Sequence, residues 1–248
     1  MDNDNSSAMT RGADGCDILA TETQLPATQS AGTRIDIVSD AICPWCYVGK
    51  RQLERALAIL ADEGMTFQVH WNAFQLNPDM PKEGRDRAAY RVWKFGGAEK
   101  SAALDQRITE AAAAVGLPFR TDLMTRTPNT IDAHRLIWFA GQHGDQDAAM
   151  EAVFIAYFIE GHDIGDHQVL ADCAASVGLE RDAALGLLAN DQGREQVLRA
   201  DTMARAAGVS GVPSFFLNGQ GLFSGAVAPE AMADAFRRAY KILPVQTA

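Results

Sequence analysis

The residues in this sequence best suited to chemistry are Cys43-Pro44-Trp45-Cys46. Two cysteines three positions apart in a first helical turn share a face and lie close enough to join in a disulfide. An apolar run, Ile35-Asp36-Ile37-Val38, comes before the motif, and Leu53, Leu57 and Leu60 recur at helical spacing after it. The motif therefore sits where a strand hands over to a helix. Cys43 falls at or just before the N-cap, and Pro44 takes the first helical position, where a missing N–H costs nothing. Sulfur at that place faces unpaired amides and the positive end of the helix dipole, which favour thiolate over thiol. The expectation is an exposed nucleophile at Cys43 and a resolving thiol, one turn deeper, at Cys46.

The competing chemistry for such a pair is half of a zinc site. Structural zinc takes four ligands, usually as two closely spaced pairs. Cys16 and Cys173 are lone cysteines, and His162 and His167, though close in spacing, follow a glycine-bounded helix end. No metal is expected. Cys173 lies on an apolar helical stretch and reads as buried and inert, and Cys16 reads as a solvent-exposed bystander. Trp45 gives the pair hydrophobic cover. Asp40, just upstream, is placed either as a strand-end turn residue or as an acceptor, through water, for the Cys46 proton.

The elements that must hold this motif follow from punctuation and periodicity. Residues 1–33 carry five acids against Arg11, a net of −4, and few large apolar side chains, so they read as a disordered acidic tail. A strand over about Arg34–Ser39 leads into the motif helix, which Gly64 stops. Phe67, Val69 and Trp71 alternate with polar residues as a second strand, and the helical crossover makes the two strands parallel. After Asn77-Pro78-Asp79-Met80-Pro81 the pattern is helical as far as Gly208. Helices are expected at Arg85–Phe95, Glu99–Val115, Ile131–Ala140 capped by Thr130, a segment after Asp145, another after Asp166, Arg181–Leu188 and Gln192–Ala207. Strand-like sequence resumes at Val209 and turns at Asn218-Gly219, a strong hairpin signal, and a last helix opens at Pro229. The domain reading is 34–84 and 208–248 as two halves of one α/β unit, with 85–207 as an all-helical insertion between a β-α-β and a β-β-α half.

Composition excludes several function classes. The 248 residues hold 47% hydrophobic and 22% charged residues, ordinary for a globular chain able to bury a large core. The net charge of −10, with no Lys/Arg cluster expected to interrupt it, argues against a nucleic-acid or anionic-membrane surface. No apolar stretch approaches membrane-spanning length. Met1-Asp2-Asn3-Asp4-Asn5-Ser6-Ser7 has neither a basic n-region nor an apolar h-region, so a secretory signal is not expected and a cytoplasmic location is.

The β-α-β and β-β-α order, with C-x-x-C after the first strand and Val212-Pro213 before the third, resembles the thioredoxin fold, and the helical insertion resembles its DsbA branch. Val38-Ser39-Asp40, Cys43 through Lys50, Phe74-Gln75-Leu76-Asn77-Pro78 and Asn129 through Arg135 are similar to FrnE-type oxidoreductases over about residues 34–240. The resemblance implies disulfide exchange by Cys43 and Cys46. It also implies a cis bond at Pro213 facing them, where the Val212 backbone pairs with an extended substrate. Pro44 and Trp45 would complete the substrate surface, and the resemblance also puts Trp45 in the dipeptide that tunes the reduction potential in this fold. Implied partners are protein disulfides or dithiols and glutathione as reductant, with no cofactor beyond the redox-active cysteine pair; a monomer and a homodimer are both compatible. The alternative is a glutathione-dependent isomerase or transferase of the kappa and hydroxychromene-carboxylate isomerase type, which resembles this chain less at Cys43, where a serine stands in those enzymes. His134 and Arg135 lie in the FrnE-like stretch; a helical histidine there reads equally as a packed, hydrogen-bonded core residue or as a proton shuttle, and neither residue is assigned to catalysis.

Overall fold

The computed structural model describes residues 33–242. The expected acidic tail lies outside the described residues apart from Thr33, and Cys16 lies outside them with it. Strand β1 (Arg34–Ser39) buries five of its six residues and feeds through Asp40–Ile42 into helix α1 (Pro44–Asp62). Cys43 is the N-cap with extended backbone, Pro44 is first in the helix, and Gly64 just past the end has a φ of 80°. Strand β2 (Gln68–Ala73) returns parallel to β1, with Trp71 opposite Ile37.

The insertion departs from the expected all-helical form. A two-residue strand β3 (Arg85–Asp86) precedes α2 (Arg87–Phe95) and α3 (Ala98–Ala114) and pairs antiparallel with β4 (Arg126–Thr127). The cause is local: Asp86 is an N-cap whose carboxylate accepts the Ala89 N–H at 2.8 Å. The helix therefore starts two residues after Arg85, and the extended residues before it have a partner strand. Helices α4 (Ile131–His143), α5 (Gln146–Phe158), α6 (His167–Ser176), α7 (Arg181–Leu188) and α8 (Arg194–Ala206) follow. Asp145 and Asp166 cap α5 and α6 through their side chains, as their spacing predicted. Thr130 occupies the N-cap of α4 without using its hydroxyl; the Ile131 N–H goes instead to the Asn129 side chain at 3.0 Å. Helix α8 begins at Arg194 rather than Gln192 because Gly193 is left-handed, with a φ of 78°.

Strands β5 (Ser214–Leu217) and β6 (Gln220–Ser224) form the expected hairpin, turning at Asn218 and Gly219 with φ of 47° and 85°. Two positive φ values in a two-residue loop match the right-handed strand twist. The sheet order is β2-β1-β5-β6, with β5 antiparallel to β1. Helix α9 (Pro229–Ile242) packs on α1. On the open edge of the sheet, Gln146 plays the part of a missing strand. Its Oε1 accepts the Trp71 N–H at 2.9 Å and its Nε2 donates to the Trp71 carbonyl at 3.1 Å.

One apolar cluster runs from the sheet through α1 and α9 into the helices of the insertion. Tyr47 on α1 stacks on Phe154 of α5 with ring centroids 4.8 Å apart, and Phe119 stacks on Phe158 at 4.7 Å. A smaller cluster of Val38, Phe74, Ala204 and Phe216 packs the sheet against α8. Each buried aromatic contributes about 1.5–3 kcal/mol by leaving water, so the Tyr47 seam ties the motif helix to the insertion.

Candidate active site

The end of β1 and the start of α1 fix the cysteine pair. The Cys43 N–H donates to the Asp40 carbonyl at 2.9 Å, and the Cys46 N–H to the Cys43 carbonyl at 3.0 Å, so the turn closes just before the helix. Both thiols are free. The Cys43 Sγ donates to the Val212 carbonyl at 3.6 Å, across 169 residues of sequence. The Val212–Pro213 peptide bond is cis. Pro213 is buried against α1, where a Cβ added to Gly49 would stand 2.9 Å from Pro213 Cγ. Glycine is what lets the helix approach that loop so closely.

Two site expectations need correction. Cys43 was expected to be exposed and is 4% exposed. Trp45 and Val212 pack against the apolar cluster that includes Cys43, the Val212 carbonyl meets its sulfur, and the residue opens on a groove. That groove encloses about 1430 Å³, counting space open to solvent, and runs between the motif, the Gly211–Val212 backbone and helices α2 and α3. Pro44 and Trp45 line it, as does Val212, whereas Pro213 lies behind Val212 and does not.

The two cysteines differ in environment. Cys46 has no exposure, and burial first, then the neighbouring Cys43, pushes its thiol well above the ordinary value. The Ser39 hydroxyl and the Asp40 backbone oppose that rise without overcoming it. Ser39 Oγ is itself buried with no other hydrogen-bond partner. Cys173 lies apart from the pair on α6, its Sγ 3.7 Å from the Ala152 carbonyl, and burial pushes its thiol up to about 12.

Asp40 is more than a turn residue. It is fully buried; its Oδ2 accepts the Leu76 N–H at 2.7 Å, and its Oδ1, otherwise unpartnered, is 3.4 Å from His134 Nε2 on α4. The same nitrogen is 3.2 Å from the Phe74 carbonyl. Both neighbours are acceptors, so Nε2 carries the hydrogen. The insertion thus reaches under the motif and braces the turn. Arg135, the next residue, is a core residue: it donates to the carbonyls of Gln192, Leu187 and Asn190 and to Asp132.

Sequence reasoning missed the groove's other wall. Arg87, Tyr90, Arg91, Lys94 and Phe95 of α2, and Asp105 and Arg107 of α3, all line it. A signal was present, since Arg87, Arg91 and Lys94 follow an i, i+4, i+7 spacing that puts three cations on one helical face. Among the described residues, no group of three His, Cys, Asp or Glu side chains could hold a metal ion. No helix there is long and apolar enough to cross a membrane.

A dithiol at a helix N-terminus, opposed by a cis-proline loop beneath a helical insertion, defines a thioredoxin-like disulfide oxidoreductase fold. The chain belongs to the DSBA-like thioredoxin domain family, whose model matches residues 34–237. Its structure is similar to that of a probable DsbA oxidoreductase, SCO1869, from Streptomyces coelicolor. The two are 30% identical, with a TM-score of 0.78, over 87% of this chain and 94% of that one. It is 27% identical to YwbO of Bacillus subtilis strain 168 over 207 residues, 81% of this chain and 94% of the relative. The cytosolic disulfide reductase DsbM from Pseudomonas aeruginosa shares the fold, with a TM-score of 0.62 at 18% identity over 85% of this chain and all of that one.

Proposed function

We propose that this chain exchanges disulfides with protein or small-thiol substrates in the cytoplasm, using Cys43 and Cys46 alone as the redox group. The observation that carries the reading is the asymmetry of the pair: the Cys43 sulfur sits at the floor of a groove beside a backbone carbonyl, while Cys46 is sealed behind it. In the reductive direction, Cys43 thiolate attacks one sulfur of a substrate disulfide. A Cys43–substrate bond forms, the substrate S–S bond breaks, and one substrate thiolate leaves. Cys46 then gives up its proton and attacks the Cys43 sulfur, forming Cys43–Cys46 and releasing the second substrate thiolate. The substrate gains two electrons and the enzyme loses two; a thiol reductant such as glutathione restores the dithiol. Reversing the steps oxidises a substrate dithiol. Val212, Pro44 and Trp45 form the substrate surface, with the Val212 carbonyl available to pair with an extended chain. Pro213 supports that surface from behind.

The test is a pair of variants assayed for insulin reduction. Cys46→Ser retains the first attack and accumulates mixed disulfides, visible as reducible adducts on non-reducing gels. Cys43→Ser loses activity by at least 100-fold, since the thiolate is the attacking species. Retained turnover in Cys43→Ser would overturn this reading and favour the glutathione-dependent isomerase alternative, in which a hydroxyl at this position suffices.

A further inference from the structure

The groove above Cys43 is cationic in a chain that is acidic overall. Arg87, Arg91, Lys94 and Arg107 line it against the single carboxylate of Asp105, while the whole chain carries −10. Arg87 and Arg91 each bond that carboxylate at 2.8 Å, so one anion serves two cations. Lys94 and Arg107 have no carboxylate in bonding distance among the described residues. Lys94 donates to the neutral Asn77 side chain and lies 5.7 Å from the Tyr90 ring centre. The Arg107 guanidinium is 5.8 Å from the Trp45 ring centre, beside the cysteine motif. Lys94 and Arg107 line the same groove as Cys43, so both cations share the space in which the sulfur reacts. Cations crowded in a concave, partly apolar site raise the local concentration of anions, because low-dielectric walls focus their field.

We propose that the groove selects disulfides bearing carboxylates close to the sulfur, with Lys94 and Arg107 as the specificity-determining residues. The inference rests on the exchange reaction assigned to Cys43 and names its substrate class. The carboxylates pair with Lys94 and Arg107 while Cys43 thiolate attacks, the substrate S–S bond breaks, and a carboxylate-bearing thiolate leaves. The carboxylates can belong to a small anionic thiol or to acidic residues flanking a cysteine in a peptide. The shared chemistry is a negative charge a few bonds from sulfur.

The experiment takes the reduced full chain and measures single-turnover rates with three symmetric disulfides: 3,3′-dithiodipropionate, bis(2-hydroxyethyl) disulfide and cystamine. Each rate is normalised to that of a free small thiol with the same disulfide. At low ionic strength the dianion is expected to outpace the dication by about tenfold or more, with the neutral compound between, and added salt should compress the order. Lys94→Glu/Arg107→Glu should invert the order, whereas Lys94→Arg should keep it. Two disulfide-linked peptides, with Glu or Gln flanking the cysteines, separate the sources. A Glu preference as large as the dithiodipropionate preference points to acidic peptides, and its absence alongside a dithiodipropionate preference points to small anionic thiols. Equal normalised rates for the three disulfides, or a wild-type order unmoved by salt, would overturn the inference while leaving exchange intact. Failure of every disulfide to react would instead remove the exchange reading, and this inference with it.

Discussion

Cys46 takes its role from where it is sealed. Its thiol sits far above the ordinary value because burial denies the thiolate water, and the neighbouring Cys43 adds to the cost. A thiol held protonated at neutral pH neither alkylates nor opens a foreign disulfide. It becomes a nucleophile only when Cys43 is already bonded to substrate, with the electrophilic sulfur beside it. Cys43, by contrast, lines the groove at the helix N-terminus. Iodoacetamide at pH 7 followed by peptide mapping should therefore label Cys43 at least tenfold faster than Cys46 or Cys173. Faster labelling of Cys46 would reverse the two roles. The sequence revealed the order of the two cysteines along the helix. It could not reveal that Cys43 is 4% exposed, because one of the groups against its sulfur is the Val212 carbonyl, 169 residues away.

Helix α1 is positioned by charge as well as by apolar packing. Lys50, 4% exposed, stands 2.6 Å from Glu54, 2.9 Å from Asp147 and 3.2 Å from Glu151. Two of those acids belong to α5, so a single ammonium ties the motif helix to the insertion. Burial alone would lower the Lys50 value, but Asp147 and Glu54 outweigh it and hold the side chain charged. Lys50→Met keeps the volume and removes the charge, leaving three acids with fewer partners. Because two of them are well exposed, the expected loss is about 1–3 kcal/mol, measured as a lower urea midpoint with an unchanged slope. Equal stability would show that the apolar seam of Tyr47 and Phe154 suffices. Elements whose ends are set locally were legible: Pro44, Asp145, Asp166 and the Asn218-Gly219 turn all act within a few residues. The β3–β4 pair was not legible, since it joins residues some forty apart, and two residues leave no periodicity to read. For Lys50 only Glu54, four residues on, was within reach of sequence reasoning, because Asp147 and Glu151 meet it only once α1 and α5 are packed.

At the scale of the whole molecule, the continuous apolar cluster argues that sheet and insertion unfold together, although the chain runs out of the sheet and back again. Separate melting would expose Tyr47, Phe119, Phe154 and Phe158 to water at once, which is the costly part of unfolding. The same architecture distributes three strongly held carboxylates. Burial works to raise Asp36, Asp132 and Glu151, but their hydrogen bonds outweigh it: His70, Arg34 and Asn72 for Asp36, Arg135 and His167 for Asp132, Tyr47 and Arg51 for Glu151. A carboxyl lowered in the folded state binds its proton more readily in the unfolded chain. Its contribution is therefore complete above the unfolded value near 4 and disappears as pH falls through the lower folded value. Calorimetry between pH 7 and pH 3 should show one transition throughout, with a midpoint nearly flat down to about pH 5 and falling steeply below about pH 4. Asp36→Asn should lower the neutral midpoint and flatten the acid limb, because it deletes one of the buried carboxyls that titrate. Two resolved transitions would mean that the insertion melts on its own and that the stacked aromatics do not couple it to the sheet. A midpoint steady to pH 3 would mean that these carboxylates are not held low in the folded chain.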